Sequence, residues 1–468
     1  MTSFPADLFD GQTIGVLGLG RNGMAAARAL VHMGARVQAW DDTTRPDTAS
    51  GVATPGLSFA PFTDMTGFDA LVMSPGIPHV LPTPHPVAAM ARAAGVPILS
   101  DADFLFQAVR RAGSRARFVG ITGTNGKSTT TVLLAHLLRH AGIPVAEGGN
   151  LGPAALSLPL LPDNGVYVLE MSSYMLERLG SLHFDAACLL NLTPDHLDRH
   201  GDMEGYSRAK VHIFDRQGTG DLAVIGNTVP RHGVLAAGLR QRGITVMEIG
   251  GDAHAPDLWV ENHILHDRAG AIADLSQAPS LPGTHNAENA AAAVAIAQWL
   301  GCPRAGTDAA LASFDGLPHR QKTIGTIDGI RFIDDSKATN ADAAARAMSC
   351  HDRMIWIAGG VAKAGGIEDL SPLFAHVVHA FLIGRDAPQL ARTLERHGVA
   401  FTMAETMERA VPAALAAARA EHVPTVLLSP ACASFDQFTG FEARGHRFAE
   451  LVHALAGETD ATAGQARR

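Results

Sequence analysis

The run Phe118-Val119-Gly120-Ile121-Thr122-Gly123-Thr124-Asn125-Gly126-Lys127-Ser128-Thr129-Thr130 carries the residue types that hold a polyphosphate. Glycines at 120, 123 and 126 let backbone N–H groups converge into an anion nest. Lys127 adds a point charge, and the Ser128 hydroxyl can reach a magnesium ion. The strict G-x-x-x-x-G-K-S spacing needs glycine at 121, where Ile121 stands. The loop still joins a strand-like run, Arg117–Thr122, to a helical stretch, Val132–Arg139. A turn that only packs a helix on a sheet accounts for the glycines but not for the Lys–Ser pair.

Further on, carboxylates and imidazoles fall at strand ends. Glu170 closes the apolar run Val166–Leu169, and Asn191-Leu-Thr-Pro-Asp195-His196-Leu-Asp198-Arg199-His200 follows the run Ala186–Leu190. Strand ends are the usual ligand edge of parallel sheets. Asp195, His196 and the loop Ser128 could together hold magnesium, a hard ion. His196 and His200 are four apart, but a zincin site needs H-E-x-x-H and the Glu is missing. His200 therefore reads as a surface or capping histidine. Lys210, in Tyr206-Ser-Arg-Ala-Lys210, reads by composition as a solvated helical lysine. Asn286 and Asn289 share a helix face and either cap the helix or read an adenine edge, with capping favoured.

A second glycine cluster comes earlier: Gly18-Leu19-Gly20-Arg21-Asn22-Gly23 after the strand-like Thr13–Gly18, with Asp41 and Asp42 ending the next such run, Arg36–Trp40. This is the strand, G-x-G-x-x-G, helix pattern that seats a pyrophosphate on a helix N-terminus. Alone it supports an NAD-dependent oxidoreductase. A UDP-sugar or a packing turn fits as well. The turn Ser74-Pro75-Gly76-Ile77-Pro78, after the run Ala70–Met73, could line the same crevice. Two nucleotide loops weaken the dehydrogenase reading, since a hydride transferase has no use for a γ-phosphate clamp.

The elements around these motifs define the class. Short apolar runs, including Asp221–Ile225, Met354–Ala358, Phe381–Ile383 and Thr425–Leu428, alternate with Ala-rich helical stretches. Such alternation predicts parallel sheets covered on both faces, an α/β fold. The 468 residues predict several domains. Two segments read as linkers, Ala108–Arg117 and Asp315–Lys322, and the small polar tail Gly457–Arg468 reads as frayed. Three domains follow: 1–110, 111–316 and 317–468. The net charge of −9 offers no global basic footprint for nucleic acid. Cys188, Cys302, Cys350 and Cys432 form no CxxC pair, which fits a reducing cytosol. Residues 1–12 show no signal-peptide pattern, and no apolar run reaches the ~18 residues of a membrane span. A cytoplasmic protein is expected.

The Gly123–Ser128 loop, Glu170, Asn191–His196, Lys210, His285–Asn289 and Arg320, in this order, resemble the Mur ligases of bacterial cell-wall synthesis and their relative folylpolyglutamate synthase. Three features narrow the resemblance to the glutamate-adding members. They are the N-terminal glycine loop, the run Asp335-Ser336-Lys337-Ala338-Thr339-Asn340, and Leu427-Leu-Ser-Pro-Ala-Cys-Ala-Ser434-Phe-Asp-Gln-Phe438 followed by Phe441, Arg444 and Gly445.

The resemblance implies three domains: Rossmann-like for UDP, P-loop ATPase-like for ATP, and Rossmann-like for the amino acid. It implies an ATP-dependent ligase that joins D-glutamate to UDP-N-acetylmuramoyl-L-alanine through an acyl phosphate, in peptidoglycan precursor synthesis. Gly123, Thr124, Asn125, Gly126, Lys127, Ser128, Thr129, Asn289, Arg320 and Asp335 would bind ATP. Ser128 and Glu170 would serve one magnesium ion; His196 and a carbamylated Lys210 would serve a second. Gly18, Leu19, Arg21, Asp41, Ser74, Pro75, Gly76 and Asn150 would hold the UDP substrate. Lys337, Thr339, Lys363, Ser434 and Phe441 would hold glutamate. Lys127, Glu170, His196 and Lys210 form the expected catalytic set, in a chain expected to be a monomer.

Overall fold

The computed structural model describes residues 3–43, 54–251, 257–363 and 365–465. The chain divides into two compact units, Met1–Pro279 with Thr284–Phe314, and Ser280–Gly283 with Asp315–Arg468. The class is α/β with three largely parallel sheets, as the alternation predicts.

The first sheet uses β1 (Thr13–Leu17), β2 (Arg36–Trp40), β3 (Leu57–Phe59), β4 (Ala70–Met73) and β5 (Ile98–Leu99). Its order is β3-β2-β1-β4-β5, all parallel. The order reverses at β1 and β4, so the loops after these two strands face one crevice. Helices α1 (Arg21–His32), α2 (Pro86–Ala93) and α3 (Asp101–Arg111) cover it. Helix α1 lies close because its buried face is Gly23, Ala26, Ala27 and Leu30. A Cβ at Gly23 would stand 1.8 Å from the Gly18 carbonyl oxygen, so only glycine fits.

Nine strands form the second sheet: β6 (Arg117–Thr122), β7 (Val145–Gly149), β8 (Val166–Glu170), β9 (Ala186–Leu189), β10 (Leu222–Gly226), β11 (Thr245–Gly250), β12 (Leu258–Glu261), β13 (Ile264–Asp267) and β14 (Gly270–Asp274). The order is β14-β13-β12-β11-β10-β9-β6-β8-β7, parallel except where β12, β13 and β14 meander. Strand β6 lies between β9 and β8 at the point where the winding reverses. Helices α4 (Lys127–His140), α5 (Ser173–Leu176), α6 (Leu197–His200), α7 (Met203–Val211), α8 (His232–Gln241), α9 (Thr284–Trp299) and α10 (Thr307–Ala312) belong here. Helices α4 and α9 pack directly, and Ala290–Ala293 of α9 are fully buried. Those small residues set the close approach; a larger side chain there would cost about 1–3 kcal/mol.

The second unit holds β15 (Lys322–Ile327), β16 (Ile330–Asp334), β17 (Met354–Gly359), β18 (Val377–Ile383), β19 (Phe401–Glu405) and β20 (Thr425–Leu428). Their order is β15-β16-β20-β17-β18-β19, with only β15 antiparallel. Helices α11 (Ala341–Met348), α12 (Ala387–Arg396), α13 (Met407–Ala420) and α14 (Phe441–Gln465) flank the sheet. Strand β20 sits between β16 and β17, so the loops after these three strands share one edge. Trp356 is fully buried and donates its Nε1–H to the Ser429 carbonyl at 2.8 Å, which fixes the start of the loop after β20.

Two sequence expectations change. Ala108–Arg117 is not wholly a linker, because α3 runs to Arg111 with Ala108 and Val109 buried. Arg110 and Arg111 sit in the last helical turn, where they complement the helix dipole. Arg110 also donates to the Ser114 and Ala116 carbonyls at 3.0 and 2.9 Å. The tail is helical to Gln465, as a continuation of α14. No helix of the described residues is long and apolar enough to cross a membrane.

Candidate active site

Strand β6 is buried almost throughout and delivers the chain into the glycine loop. Gly123 has φ +151 and Gly126 φ +82, values that side-chain-bearing residues rarely adopt. Gly126 also faces Asn289, whose Oδ1 would lie 2.1 Å from a Cβ there. Helix α4 starts at Lys127, five residues before the expected helical stretch, so Lys127 and Ser128 form its first turn. Unbonded amides of a first turn carry partial positive charge, which suits a phosphate. Lys127 Nζ curls over the loop and donates to the Gly123 and Thr124 carbonyls at 3.0 and 2.8 Å. Asn125 Nδ2 is buried without an acceptor among the described residues, in the loop suited to phosphate oxygens. Asn191 clamps the loop from β9, its Oδ1 accepting the Asn125 N–H at 2.9 Å.

Glu170 is the last residue of β8 and 3% exposed. Ser128 Oγ donates to Glu170 Oε2 at 2.7 Å, and Asn150 Nδ2 donates to Oε1 at 2.7 Å. The pair of oxygen donors, one hydroxyl and one carboxylate, fits a hard divalent cation. Lys210 is 2% exposed, not solvated as composition suggests. Its Nζ donates to the Gly123 carbonyl at 2.8 Å and lies 4.8 Å from the Tyr206 ring centre. Burial, and then the charge of Lys127, hold its pKa well below the ordinary lysine value. His196 is exposed, with φ +52, beside the Tyr174 ring at 5.1 Å. Desolvation lowers its pKa and favours the neutral imidazole, the form that binds a metal. His200 is buried rather than on the surface, bonded to Ser173 Oγ at 2.9 Å and Glu177 Oε1 at 3.1 Å.

Asn289 is buried, accepting from Thr130 Oγ1 at 3.3 Å and donating to Asn286 Oδ1 at 3.1 Å. It ties α9 to the phosphate loop, a role beyond helix capping. Thr129 is half-buried on α4.

At the first sheet, Gly18 turns with φ +89, and Ser74 Oγ donates to its carbonyl at 3.0 Å. Asp41 accepts the Leu19 N–H at 2.7 Å and the Thr43 N–H at 2.9 Å, so it shapes the loop from within. Arg21 and Asn22 reach the Asn150 and Gly149 carbonyls at 3.3 and 3.4 Å. The first glycine loop thereby touches the segment that holds Glu170. Sequence reasoning missed Arg178. Its NH1 donates to the Met73 and Ser74 carbonyls at 2.9 and 3.0 Å, and its NH2 to Ile77 at 2.5 Å. Arg199 adds a bond to Ile77 at 2.9 Å. The turn containing Pro75 and Gly76 is thus held by two buried guanidinium groups. Burial moves the Arg178 pKa down to about 10.

In the second unit the loops after β16, β20 and β17 carry the remaining residues. Asp335 is buried and accepts from Ser429 Oγ at 2.7 Å and from the Gln321 N–H at 3.3 Å. Burial raises its pKa to about 7, against the lowering by Ser429 and Arg320. Lys337 Nζ stands 5.4 Å from the centre of the Phe441 ring. Thr339 lies half-buried in the turn that follows, Ser434 is buried, and Lys363 is exposed. Cys432 is fully buried with its thiol pushed up to about 12, chiefly by burial, which removes it as a nucleophile.

Residues 121–297 match the family described as Mur ligase middle domain, and residues 319–432 match Mur ligase, glutamate ligase domain. The chain is 48% identical to the UDP-N-acetylmuramoylalanine–D-glutamate ligase of Paramagnetospirillum magneticum, over 97% of this chain and 99% of that protein. It is 46% identical to the enzyme of the same name from Rhodospirillum rubrum, over 97% and 96%. Among solved structures, the fold resembles the UDP-N-acetylmuramate-alanine ligase of Thermotoga maritima, with TM-score 0.58 at 18% identity over 95% of this chain and 99% of that one. MurF from Acinetobacter baumannii gives TM-score 0.58 at 20% identity, over 94% and 91%.

Proposed function

The chain belongs to the Mur ligase family, and we propose that it couples D-glutamate to UDP-N-acetylmuramoyl-L-alanine while splitting ATP to ADP and phosphate. The product is an intermediate of peptidoglycan synthesis, and the reaction belongs to the cytoplasm, where ATP and the nucleotide sugar are made. The observation that carries this reading is the hydrogen-bonded path from Ser128 through Glu170 and Asn150 to Arg21. It joins the phosphate loop to the loop suited to a UDP pyrophosphate within one compact unit.

A carboxylate is a poor electrophile, so its oxygen first attacks the γ-phosphorus of ATP, and ADP leaves. Lys127 and the first-turn amides of α4 offset charge on the phosphoryl group in flight. The glutamate amine then attacks the acyl phosphate, and the tetrahedral intermediate expels phosphate and a proton as the amide forms. No nucleophile of the protein is needed; positioning supplies much of the rate. Ser128 and Glu170 suit one magnesium ion, and His196 with a carbamate on Lys210 a second, which would neutralise phosphate oxygens. Lys210 can serve only after its amine takes up carbon dioxide, and its depressed pKa favours the neutral amine that reaction requires. Arg320, Asp335 and Asn289 complete the ATP site in this reading. Gly18, Leu19, Asp41 and the Ser74–Gly76 turn seat UDP. Lys337, Thr339, Lys363, Ser434 and Phe441 receive D-glutamate. The matching division is 1–110 for UDP, 111–316 for ATP and 317–468 for the amino acid, in a monomer.

The test is phosphate release from ATP with magnesium and UDP-N-acetylmuramoyl-L-alanine, adding D-glutamate, L-glutamate or neither. Release that depends on D-glutamate is expected. Release with L-glutamate alone would keep the mechanism and change the product, and no release with either would remove this substrate pair.

A further inference from the structure

Arg444, in the first turn of α14, is 1% exposed, and its guanidinium donates to one hydroxyl and three backbone carbonyls. Its Nε donates to Ser336 Oγ at 2.9 Å and its NH2 to the Ser336 carbonyl at 2.7 Å. Its NH1 donates to the Cys432 carbonyl at 3.0 Å and the Gly359 carbonyl at 3.4 Å. Ser336, Cys432 and Gly359 belong to three different segments, at the carboxyl ends of β16, β20 and β17. These strands are neighbours in the sheet. One planar group with a fixed fork of donors therefore reads the relative height of three loops.

Other contacts tighten the same junction. Val361 and Ala433 exchange both backbone hydrogen bonds, at 2.8 and 2.9 Å, so the loops after β17 and β20 are paired. Gly360 has φ +127, and a Cβ there would fall 2.2 Å from the Ala433 carbonyl oxygen and 3.3 Å from Arg444 NH1. Ser336 Oγ donates in turn to the Phe441 carbonyl at 2.9 Å, tying the loop after β16 to the start of α14. Lys337, Ser434 and Lys363 lie one, two and four residues from Ser336, Cys432 and Gly359 respectively.

We propose that Arg444 is the positioning residue of the amino-acid subsite, setting the mutual register of the three loops that receive D-glutamate. It touches no substrate; it acts through Ser336, Cys432 and Gly359. The inference rests on the reading of Lys337, Ser434 and Lys363 as the glutamate-binding residues. Lysine at 444 keeps the charge but offers one nitrogen, which cannot span acceptors on three loops.

The experiment uses the full chain with Arg444→Lys and, as a milder probe, Ser336→Ala, which removes one acceptor of the guanidinium. For each, KM is measured for D-glutamate and for UDP-N-acetylmuramoyl-L-alanine, together with kcat and the melting temperature. The expected result is a D-glutamate KM raised about tenfold or more in Arg444→Lys and less in Ser336→Ala, with the KM of the UDP substrate changed by less than about twofold. An unchanged D-glutamate KM, or an equal rise for both substrates, would overturn the proposal and leave Arg444 a stabilising residue only. If Arg444→Lys does not fold, the same split in Ser336→Ala decides. A wild-type chain that ignores D-glutamate would instead remove the functional reading beneath the inference.

Discussion

Ser128 and Glu170 meet at 2.7 Å, the hydroxyl donating to one carboxylate oxygen while Asn150 holds the other. The carboxylate is 3% exposed and fixed on both sides, so its charge cannot move toward water. Glu170→Gln preserves the shape and removes that charge. Turnover should fall on the order of 100-fold, as when a single electrostatic stabiliser is lost. Stability should change by only about 1 kcal/mol, because one of the two hydrogen bonds is forfeited. Phosphate release together with thermal melting checks this. A variant within a factor of about two of wild type would take Glu170 out of the chemistry.

Gly126 carries two constraints at once, φ +82 and Asn289 Oδ1 at 2.1 Å from the site of a Cβ. Gly126→Ala should destabilise by about 1–3 kcal/mol and weaken nucleotide binding, since the loop must shift. Asn289→Ala removes the obstructing atom but not the backbone strain. The double variant should therefore be more stable than the sum of the single losses predicts. Calorimetric ATP binding and melting of all four proteins give the coupling, and strict additivity would mean the alanine methyl finds another way out.

Asp335 makes a pH prediction. Its folded pKa is raised to about 7 from 3.8, chiefly by burial. Between these values the folded chain holds a proton that the unfolded chain releases. Stability from this group is complete below about pH 4 and is lost as pH rises through about 7. The linkage is worth at most about 4 kcal/mol. Asp335→Asn mimics the protonated form and lacks the titration. Relative to wild type, its melting temperature should rise between pH 5 and pH 8. A difference independent of pH would show that Asp335 is ionised throughout.

The phosphate loop was legible in the sequence because its parts are contiguous: strand, glycine turn, Lys127, Ser128 and helix lie within a dozen residues. The parallel sheets were legible for the same reason, each strand being a short local run. What escaped depends on residues far apart. Lys210 reads as a surface lysine until α7 is packed against the Gly123 carbonyl. His200 reads as exposed until Ser173 and Glu177 enclose it. Asn289 passes for a capping residue because its partner Thr130 lies 159 positions earlier. Arg444 belongs to a recognisable C-terminal run, yet nothing local reveals that it holds Ser336, 108 positions away. Backbone carbonyls have no residue type, so guanidinium groups that seek them leave no pattern.

Arg178 is the strongest case of such a hidden partner. From the segment after α5 it reaches back about a hundred positions to the carbonyls of Met73, Ser74 and Ile77. It is 2% exposed, so these hydrogen bonds are made away from competing bulk water. Arg178→Ala should leave several buried acceptors unsatisfied and cost about 3 kcal/mol or more. Lysine keeps the charge but has only one nitrogen, so Arg178→Lys should recover part of the stability and little of the geometry. The Ser74–Ile77 turn should loosen in both, raising the KM for the UDP substrate while the KM for D-glutamate stays close to wild type. Melting temperature and substrate-by-substrate kinetics together check this. If stability falls and the UDP substrate binds as before, the turn is held by Arg199 alone and Arg178 serves only the packing of the two sheets.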